Sequence, residues 1–434
     1  MKKVAFYTLG CKVNQYETEA MEEMFEKRGY EIVDINERAD VYIINTCTVT
    51  NLGDRKSRQF IRRAKKINND SIVAAVGCYS QVAPEEVEEV EGVDIVIGTT
   101  DRDKVVELCE EAKRENKKIN IVKNLKGHKD FENLNIEDVK SKTRAYIKIQ
   151  DGCNQFCSYC IIPYARGPIR SRKLDDILKE TKKLAQANFK EIILTGIHIA
   201  SYGKELGNIN LLDVIKQVSN IDDIERIRLS SMEPTFIDED FMMKATKVKK
   251  LCDHFHLSLQ SGSNTVLKRM NRKYTVDEYK KTVDLIRKYM PDAGITTDII
   301  VGFPGETEKE FKETYDFVKS IGFSRIHVFK YSPRKGTPAS KSKNQINGKI
   351  KHSRSEILIN LGDNLMSNFN DRFIGKTVNV LFEENKDGVF EGYTTNYIRV
   401  KAETIEDIQG KILPVKITGK ENDILIGKIK GLLH

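Results

Sequence analysis

Short apolar runs alternate with amphipathic stretches over the first quarter of the chain. Strand-like runs lie at Lys3 to Thr8, Val41 to Asn45, Ile72 to Val76 and Asp94 to Ile97, with helical periods near 14–28, 54–67 and 101–115. Such alternation with short connections predicts a parallel sheet covered by helices. From 144 to about 335 the alternation returns six times, with strands expected at Ala145 to Gln150, Glu191 to Thr195, Arg226 to Ser230, His254 to Leu259, Ile295 to Val301 and Arg325 to Tyr331. The helical pattern Asp175 to Ala187 gathers Ile177, Leu178, Leu184 and Ala185 on one face, and a second runs from Val276 to Tyr289. Six units are two short of a closed eight-fold barrel, so an open six-stranded β/α barrel is expected, with its site at the C-terminal rim of the strands. After about residue 371 the runs shorten: Thr377 to Phe382, Val389 to Tyr393, Ile398 to Lys401, Ile412 to Ile417 and Ile424 to Lys430, with Gly388, Gly410 and Gly419 marking turns. Five such strands suggest a small antiparallel β-barrel of the kind that binds oligonucleotides. The stretch 116–143 is polar, lacks an apolar period and reads as a linker. The expected fold class is therefore α/β, with a parallel α/β domain over 1–115, an open six-stranded β/α barrel with a basic connecting segment over 144–370, and a small antiparallel barrel over 371–434.

Composition narrows the class. With 39% hydrophobic residues, 434 residues can build two or three cores, while 31% charged residues argue for a soluble protein. No apolar run approaches the roughly 20 residues that span a bilayer, and Met1 leads straight into a strand-like segment with no signal-peptide pattern. No membrane partner and a cytoplasmic location are expected. The net charge of +8 is mild for this length, so the placement of basic residues matters more than their total.

The cysteines change the picture most. Asp151-Gly-Cys-Asn-Gln-Phe-Cys-Ser-Tyr-Cys160 follows a strand and sets Cys153, Cys157 and Cys160 in a C-x3-C-x2-C spacing. Three thiolates that close can hold one metal cluster. A closed zinc site usually takes four protein ligands, and no histidine lies within ten residues of these cysteines. An iron–sulfur cube on three cysteines keeps one iron free for a ligand that is not protein. The stretch resembles the radical S-adenosylmethionine motif, and that resemblance implies Tyr159 packing beside the cofactor's adenine. It also suggests Gly196 near the cofactor's methionine amino group, and Glu233, Gln260 and Arg272 for ribose hydroxyls and the methionine carboxylate. Each of these also has a structural reading, and Gly302-Phe-Pro-Gly305 reads as a turn.

In the first domain Cys11, Cys47 and Cys78 each follow a strand-like run. The C-terminal ends of parallel strands share one edge, where open α/β folds bind ligands, so the three can converge there. Their spacing alone leaves a second metal site and buried small hydrophobes equally open. Cys109 and Cys252 read as core or free thiols.

Taken together, the two cysteine triples, the domain order and the motifs Thr8-Leu-Gly-Cys-Lys-Val-Asn-Gln15 and Cys160-Ile-Ile-Pro-Tyr-Ala-Arg-Gly-Pro168 resemble the methylthiotransferase family of radical S-adenosylmethionine enzymes. Within it they look like the branch that acts on N6-threonylcarbamoyladenosine at tRNA position 37, with a C-terminal barrel of the TRAM type. The resemblance implies two 4Fe-4S clusters, on Cys11, Cys47 and Cys78 and on Cys153, Cys157 and Cys160, together with S-adenosylmethionine, tRNA as substrate and a low-potential ferredoxin- or flavodoxin-type electron donor. Carbon 2 of adenine carries a hydrogen without useful acidity, so a radical must remove it, and cofactors supply such chemistry. In this family the C-terminal cluster would cleave S-adenosylmethionine and the N-terminal one would hold the transferred sulfur. Other readings are a methylthiotransferase for isopentenyladenosine or a ribosomal protein, and a non-enzymatic iron–sulfur RNA-binding or electron-transfer protein.

Several basic groups are candidates for tRNA phosphates: Arg55, Lys56, Arg58, Arg62, Arg63, Lys65 and Lys66 on one helix; Arg166, Arg170, Arg172 and Lys173 after the cluster loop; and the eight basic residues between Lys330 and Arg354, a span with no acidic one. The last 64 residues hold ten basic and ten acidic residues, so RNA contact there depends on local placement, with Lys376, Tyr393, Tyr397, Arg399 and Lys401 as candidates.

Overall fold

The computed structural model of the chain describes residues 1–134, 136 and 143–431. Its first sheet is all parallel, in the order β2-β1-β3-β4-β5-β6, built from β1 (Lys2–Thr8), β2 (Tyr30–Val33), β3 (Val41–Thr46), β4 (Ile72–Gly77), β5 (Ile95–Ile97) and β6 (Ile119–Asn120). Every residue of β3 and β4 is buried, because helices cover both faces of the sheet and each face has its own apolar layer. The polar stretch 116–143 is more than a linker over its described part. It supplies β6 at the sheet edge, and Leu125, Leu134 and Ile136 are buried. These apolar residues are too sparse to create a period, which hid them from the sequence pattern. Residues 135 and 137–142 of that stretch lie outside the described residues.

The central domain carries β7 (Arg144–Asp151), a short antiparallel β8 (Arg170–Ser171), β9 (Glu191–Gly196), β10 (Arg226–Leu229), β11 (His254–His256), β12 (Gly294–Val301) and β13 (Arg325–Lys330). The six expected strands are all present. They run parallel in two sheets, β10-β9-β7 and β11-β12-β13, joined through the bridges Ile227 to Leu251 and Met232 to Leu257. The apolar residues of alternate positions pack outward against the helices as one core. The other positions, among them Arg144, Lys148, Glu191, Arg228, His254, Thr296 and Asp298, face inward and are polar.

A helix the sequence pattern does not delimit, Gly348–Asp371, links this domain to the last. It is long and polar, and its Gly362 lets it lie directly on β13, where a Cβ would stand 2.5 Å from the Ile326 side chain. Five strands then close a barrel in the order β14-β15-β16-β18-β17: β14 (Thr377–Lys386), β15 (Val389–Thr394), β16 (Arg399–Glu403), β17 (Ile412–Glu421) and β18 (Ile424–Ile429). All its pairs are antiparallel except β16 with β18. No helix among the described residues is long and apolar enough to cross a membrane.

This barrel docks under the N-terminal ends of the central strands. Arg228 donates to the carbonyls of Thr395 at 2.8 Å and Thr394 at 3.1 Å, and Arg226 to those of Tyr393 and Asn379. Arg144 lies over the rings of Tyr393 and Tyr397, and Arg228 stands 4.5 Å from the Tyr397 ring centre.

Candidate active site

Cys11, Cys47 and Cys78 follow β1, β3 and β4, which are neighbours in the sheet, so parallel topology delivers all three to one edge. The approach is tight. Gly10 has φ +111°, and a Cβ there would stand 3.0 Å from Cys47 Sγ. Asn14 braces the loop, donating to the carbonyls of Leu9 at 2.8 Å and Thr46 at 3.0 Å. Burial pushes the Cys47 thiol up to about 12, with Cys78 and Cys11 adding to the effect, and it raises Cys78 against the pull of Arg166.

Cys153, Cys157 and Cys160 follow β7 as a second group. Burial pushes Cys153 up to about 11 and Cys160 up to about 12. Among the described residues no three His, Cys, Asp or Glu groups are arranged around a single ion, whereas a cube spreads its thiolates over separate irons. Each triple supplies three sulfurs and, among the described residues, no fourth protein ligand, which fits a cube with one open iron; loading would release the thiol protons.

One arginine donates to each triple: the buried Arg166 through Nε to Cys78 Sγ at 3.3 Å, and the partly buried Arg272 through Nη1 to Cys157 Sγ at 3.4 Å. Glu233 lies 3.4 Å from Arg272, accepts from Gln155 Nε2 at 2.8 Å and stands 3.2 Å from His198 Nε2. Burial pushes that carboxyl up, but His198 and Arg272 hold it below its ordinary value. Tyr159, Cys160 and Gln260 line a cavity of about 230 Å3 with Tyr331 and Phe329. Gln260 sits there with φ +70°, its backbone bonded to Asp298 and Ile300. Gly196 lines a larger cavity of about 940 Å3 with Cys11, Lys12, Ser230, His254, Thr296, His327 and Tyr397. Asp298 and Phe329 border both cavities, so they adjoin. Burial lowers His254 well below the usual imidazole range, with Arg228 and Lys12 adding to it, and burial also lowers His327.

The basic residues divide sharply. Arg166, Arg170 and Arg172 do not face solvent; they are buried at the contact of the first two domains. Glu17 accepts from Lys148 at 2.9 Å and Arg166 at 3.0 Å and pairs with Arg102, which also pairs with Glu132. Asp151 takes Lys148 at 3.0 Å, Arg166 at 3.3 Å and Arg170 at 3.7 Å, while Arg172 pairs with Glu180. Burial pushes the Glu17 carboxyl up, yet Arg102, Arg166 and Lys148 outweigh it and bring it from 4.5 down to about 2.

The C-terminal candidates are engaged too. Tyr393 and Tyr397 serve the docking described above, Lys376 pairs with Asp292, and Arg399 and Lys401 pair with Glu391. In the 330–354 segment Arg334 latches onto Thr48, Asn51 and Asp54 beside Cys47, and Arg354 is buried on Glu306. Sequence charge carried no sign of these partners. What remains exposed is Arg55, Lys56, Arg62, Arg63 and Lys66 on the helix Asn51–Ile67, with Lys173, Lys330, Lys335, Lys341, Lys343 and Lys349. Arg58 bonds Tyr79 and Lys65 pairs with Asp94. Cys109 and Cys252 are buried free thiols.

Sequence comparison agrees with this layout. A model described as the radical SAM superfamily matches residues 147–318, and one described as uncharacterized protein family UPF0004 matches 3–98. The threonylcarbamoyladenosine tRNA methylthiotransferase MtaB of Bacillus subtilis is 44% identical over 96% of this chain and 94% of its own length. The chain belongs to the radical SAM methylthiotransferase family. MtaB of Aquifex aeolicus is 42% identical over 96% of the chain and 100% of its own length, and the tRNA-2-methylthio-N6-dimethylallyladenosine synthase of Clostridium novyi is 38% identical over 99% of the chain and 96% of its own. As a member of this family the chain is an enzyme using an iron–sulfur cluster and S-adenosylmethionine. Its fold is similar to the radical S-adenosylmethionine methyltransferase TsrM of Kitasatospora setae, with TM-score 0.60 and 14% identity over 78% of this chain and 77% of that one.

Proposed function

We propose that this methylthiotransferase places sulfur and a methyl group on carbon 2 of N6-threonylcarbamoyladenosine at position 37 of tRNA. The observation that carries the reading is the pair of three-cysteine groups, each with one buried cysteine whose sulfur accepts from an arginine, in a chain 44% identical to a threonylcarbamoyladenosine tRNA methylthiotransferase. Cys153, Cys157 and Cys160 would hold one 4Fe-4S cluster and Cys11, Cys47 and Cys78 a second. When bound, these groups and S-adenosylmethionine supply the radical that takes the unactivated hydrogen, and the sulfur and methyl that replace it.

The chain's own residues orient and enclose. Arg272 and Glu233 form a largely enclosed charged pair beside Cys157 that would take the polar groups of S-adenosylmethionine, with Tyr159 and Gln260 walling the smaller cavity. Gly196 and Cys11 face the larger one, whose polar interior and floor of Tyr397 receive the nucleobase and keep bulk water out. The exposed basic face of Asn51–Ile67 follows the tRNA backbone, and a ferredoxin- or flavodoxin-type protein supplies electrons in the cytoplasm. The test is mass spectrometry of tRNA nucleosides from cells lacking the protein. The 2-methylthio derivative of threonylcarbamoyladenosine should vanish while its precursor accumulates; loss of the isopentenyladenosine derivative instead would refute the substrate assignment.

A further inference from the structure

The larger cavity holds two cations with no direct carboxylate partner among the described residues; Lys12 feels Tyr397 and Glu191 at longer range, with Arg228 and Arg144 opposing them. Lys12, directly after Cys11, and Arg325, on β13, both line it, and neither makes an ion pair or hydrogen bond to a described residue. Three acids share the lining and each is engaged: Asp298 faces His256 at 3.2 Å, Glu19 accepts from Gln15 at 3.1 Å, and Glu22 is not free either. His254, 4% exposed, bonds Thr296 through Nε2 at 3.1 Å and leaves Nδ1 unpartnered. A half-enclosed ammonium and a guanidinium on one cavity, with a buried and unpartnered imidazole nitrogen beside them, ask for an anionic, hydrogen-bonding occupant.

We propose that Lys12 and Arg325, with His254, form a carboxylate subsite that takes the free carboxylate of the threonylcarbamoyl group and sets the enzyme against adenines with an apolar N6 substituent; this rests on the substrate reading above. The chemistry of adenine agrees with the placement. Carbon 2 and the N6 substituent flank N1 on the same edge of the ring. A base that offers carbon 2 to the Cys11 side of the cavity therefore turns its N6 group toward the adjoining wall, one residue along the chain. A dimethylallyl group at that wall would leave Lys12 and His254 desolvated and unpaired, which is how a polar site rejects an apolar analogue.

The experiment uses the reconstituted full-length enzyme and three anticodon stem-loops, carrying threonylcarbamoyladenosine, its methyl ester, or unmodified adenine at position 37. Wild type should bind the acid about 10- to 100-fold more tightly than the ester, the range of a charge-assisted hydrogen bond. Lys12→Gln should bring the two together by weakening the acid alone, Lys12→Arg should restore part of the preference, and Arg325→Gln should reduce it. Iron content is measured for each variant because Lys12 adjoins Cys11; should Lys12→Gln lose iron, Arg325→Gln and Lys12→Arg decide. If the variants keep the full preference for acid over ester, or if wild type methylthiolates both loops equally well, the subsite is wrong while the function stands. If wild type makes no 2-methylthio product from the acid loop and binds all three alike, the substrate reading itself falls.

Discussion

Replacing Glu17 with glutamine removes the central negative charge from the contact between the first two domains. The side chain is fully buried and faces Arg102, Lys148 and Arg166. Holding its carboxyl at about 2 instead of 4.5 corresponds to about 3 kcal/mol of stability at neutral pH. Breaking a buried ion pair from one side costs about 3–5 kcal/mol by the independent route of mutagenesis, so the two scales agree. With roughly 2–4 °C per kcal/mol for units of 150–250 residues, the first thermal transition of the reconstituted enzyme should fall by about 6–12 °C in Glu17→Gln. A folded pKa below the unfolded one gives stability that is complete above pH 4.5 and is lost as pH falls toward 2. The gap between wild type and variant should therefore be constant from pH 8 to about 5.5 and narrow below 4.5. Scanning calorimetry under anaerobic conditions reads all of this; a shift under about 2 °C in the single variant would refute the view that these charges hold the domains together.

Cys157→Ala should abolish 5′-deoxyadenosine formation and lower iron after reconstitution by about half, with the N-terminal cluster retained; undiminished formation would remove the radical chemistry from this triple. Cys47→Ala should keep S-adenosylmethionine cleavage and lose methylthiolation, and normal product from it would make Cys11, Cys47 and Cys78 structural. Changing Arg55, Lys56, Arg62 and Arg63 to alanine should flatten the log-log salt dependence of tRNA binding by about 0.7–0.9 per lost phosphate contact; an unchanged slope would leave that helix a solvated face.

Strands were the most legible part of the chain, since parallel strands covered on both sides are continuous apolar runs, as in Val41–Thr46 and Ile72–Gly77. The cysteines were legible for two reasons: Cys153, Cys157 and Cys160 lie within one short loop after a strand, and parallel topology converts the positions of Cys11, Cys47 and Cys78 after three strands into one edge. What sequence could not show is where a charge points. Arg166, Arg170 and Arg172 form a basic string like that of Asn51–Ile67, yet the first is buried among Glu17 and Asp151 and the second is largely exposed. The acids that bury the arginines lie up to 149 residues away in sequence. Lys12 carries no signal of its own in a chain with 72 basic residues, and Tyr397, a candidate for RNA contact by sequence, serves the docking instead because its partners Arg144 and Arg228 belong to another domain.

The lattice of Glu17, Arg102, Lys148, Asp151 and Arg166 bears on traffic as well as cohesion. A dry array of full charges has no half-open position: sliding one domain past the other by a single side chain would strand several ions at once. The two cysteine triples therefore ride on one body at a fixed gap, like the jaws of a jig that has been welded. On the function proposed above, successive events at one carbon atom would then need the nucleobase to shift within the cavity or the tRNA to leave and return, and the pace of the cycle would pass from hinge motion to the lifetime of the bound RNA.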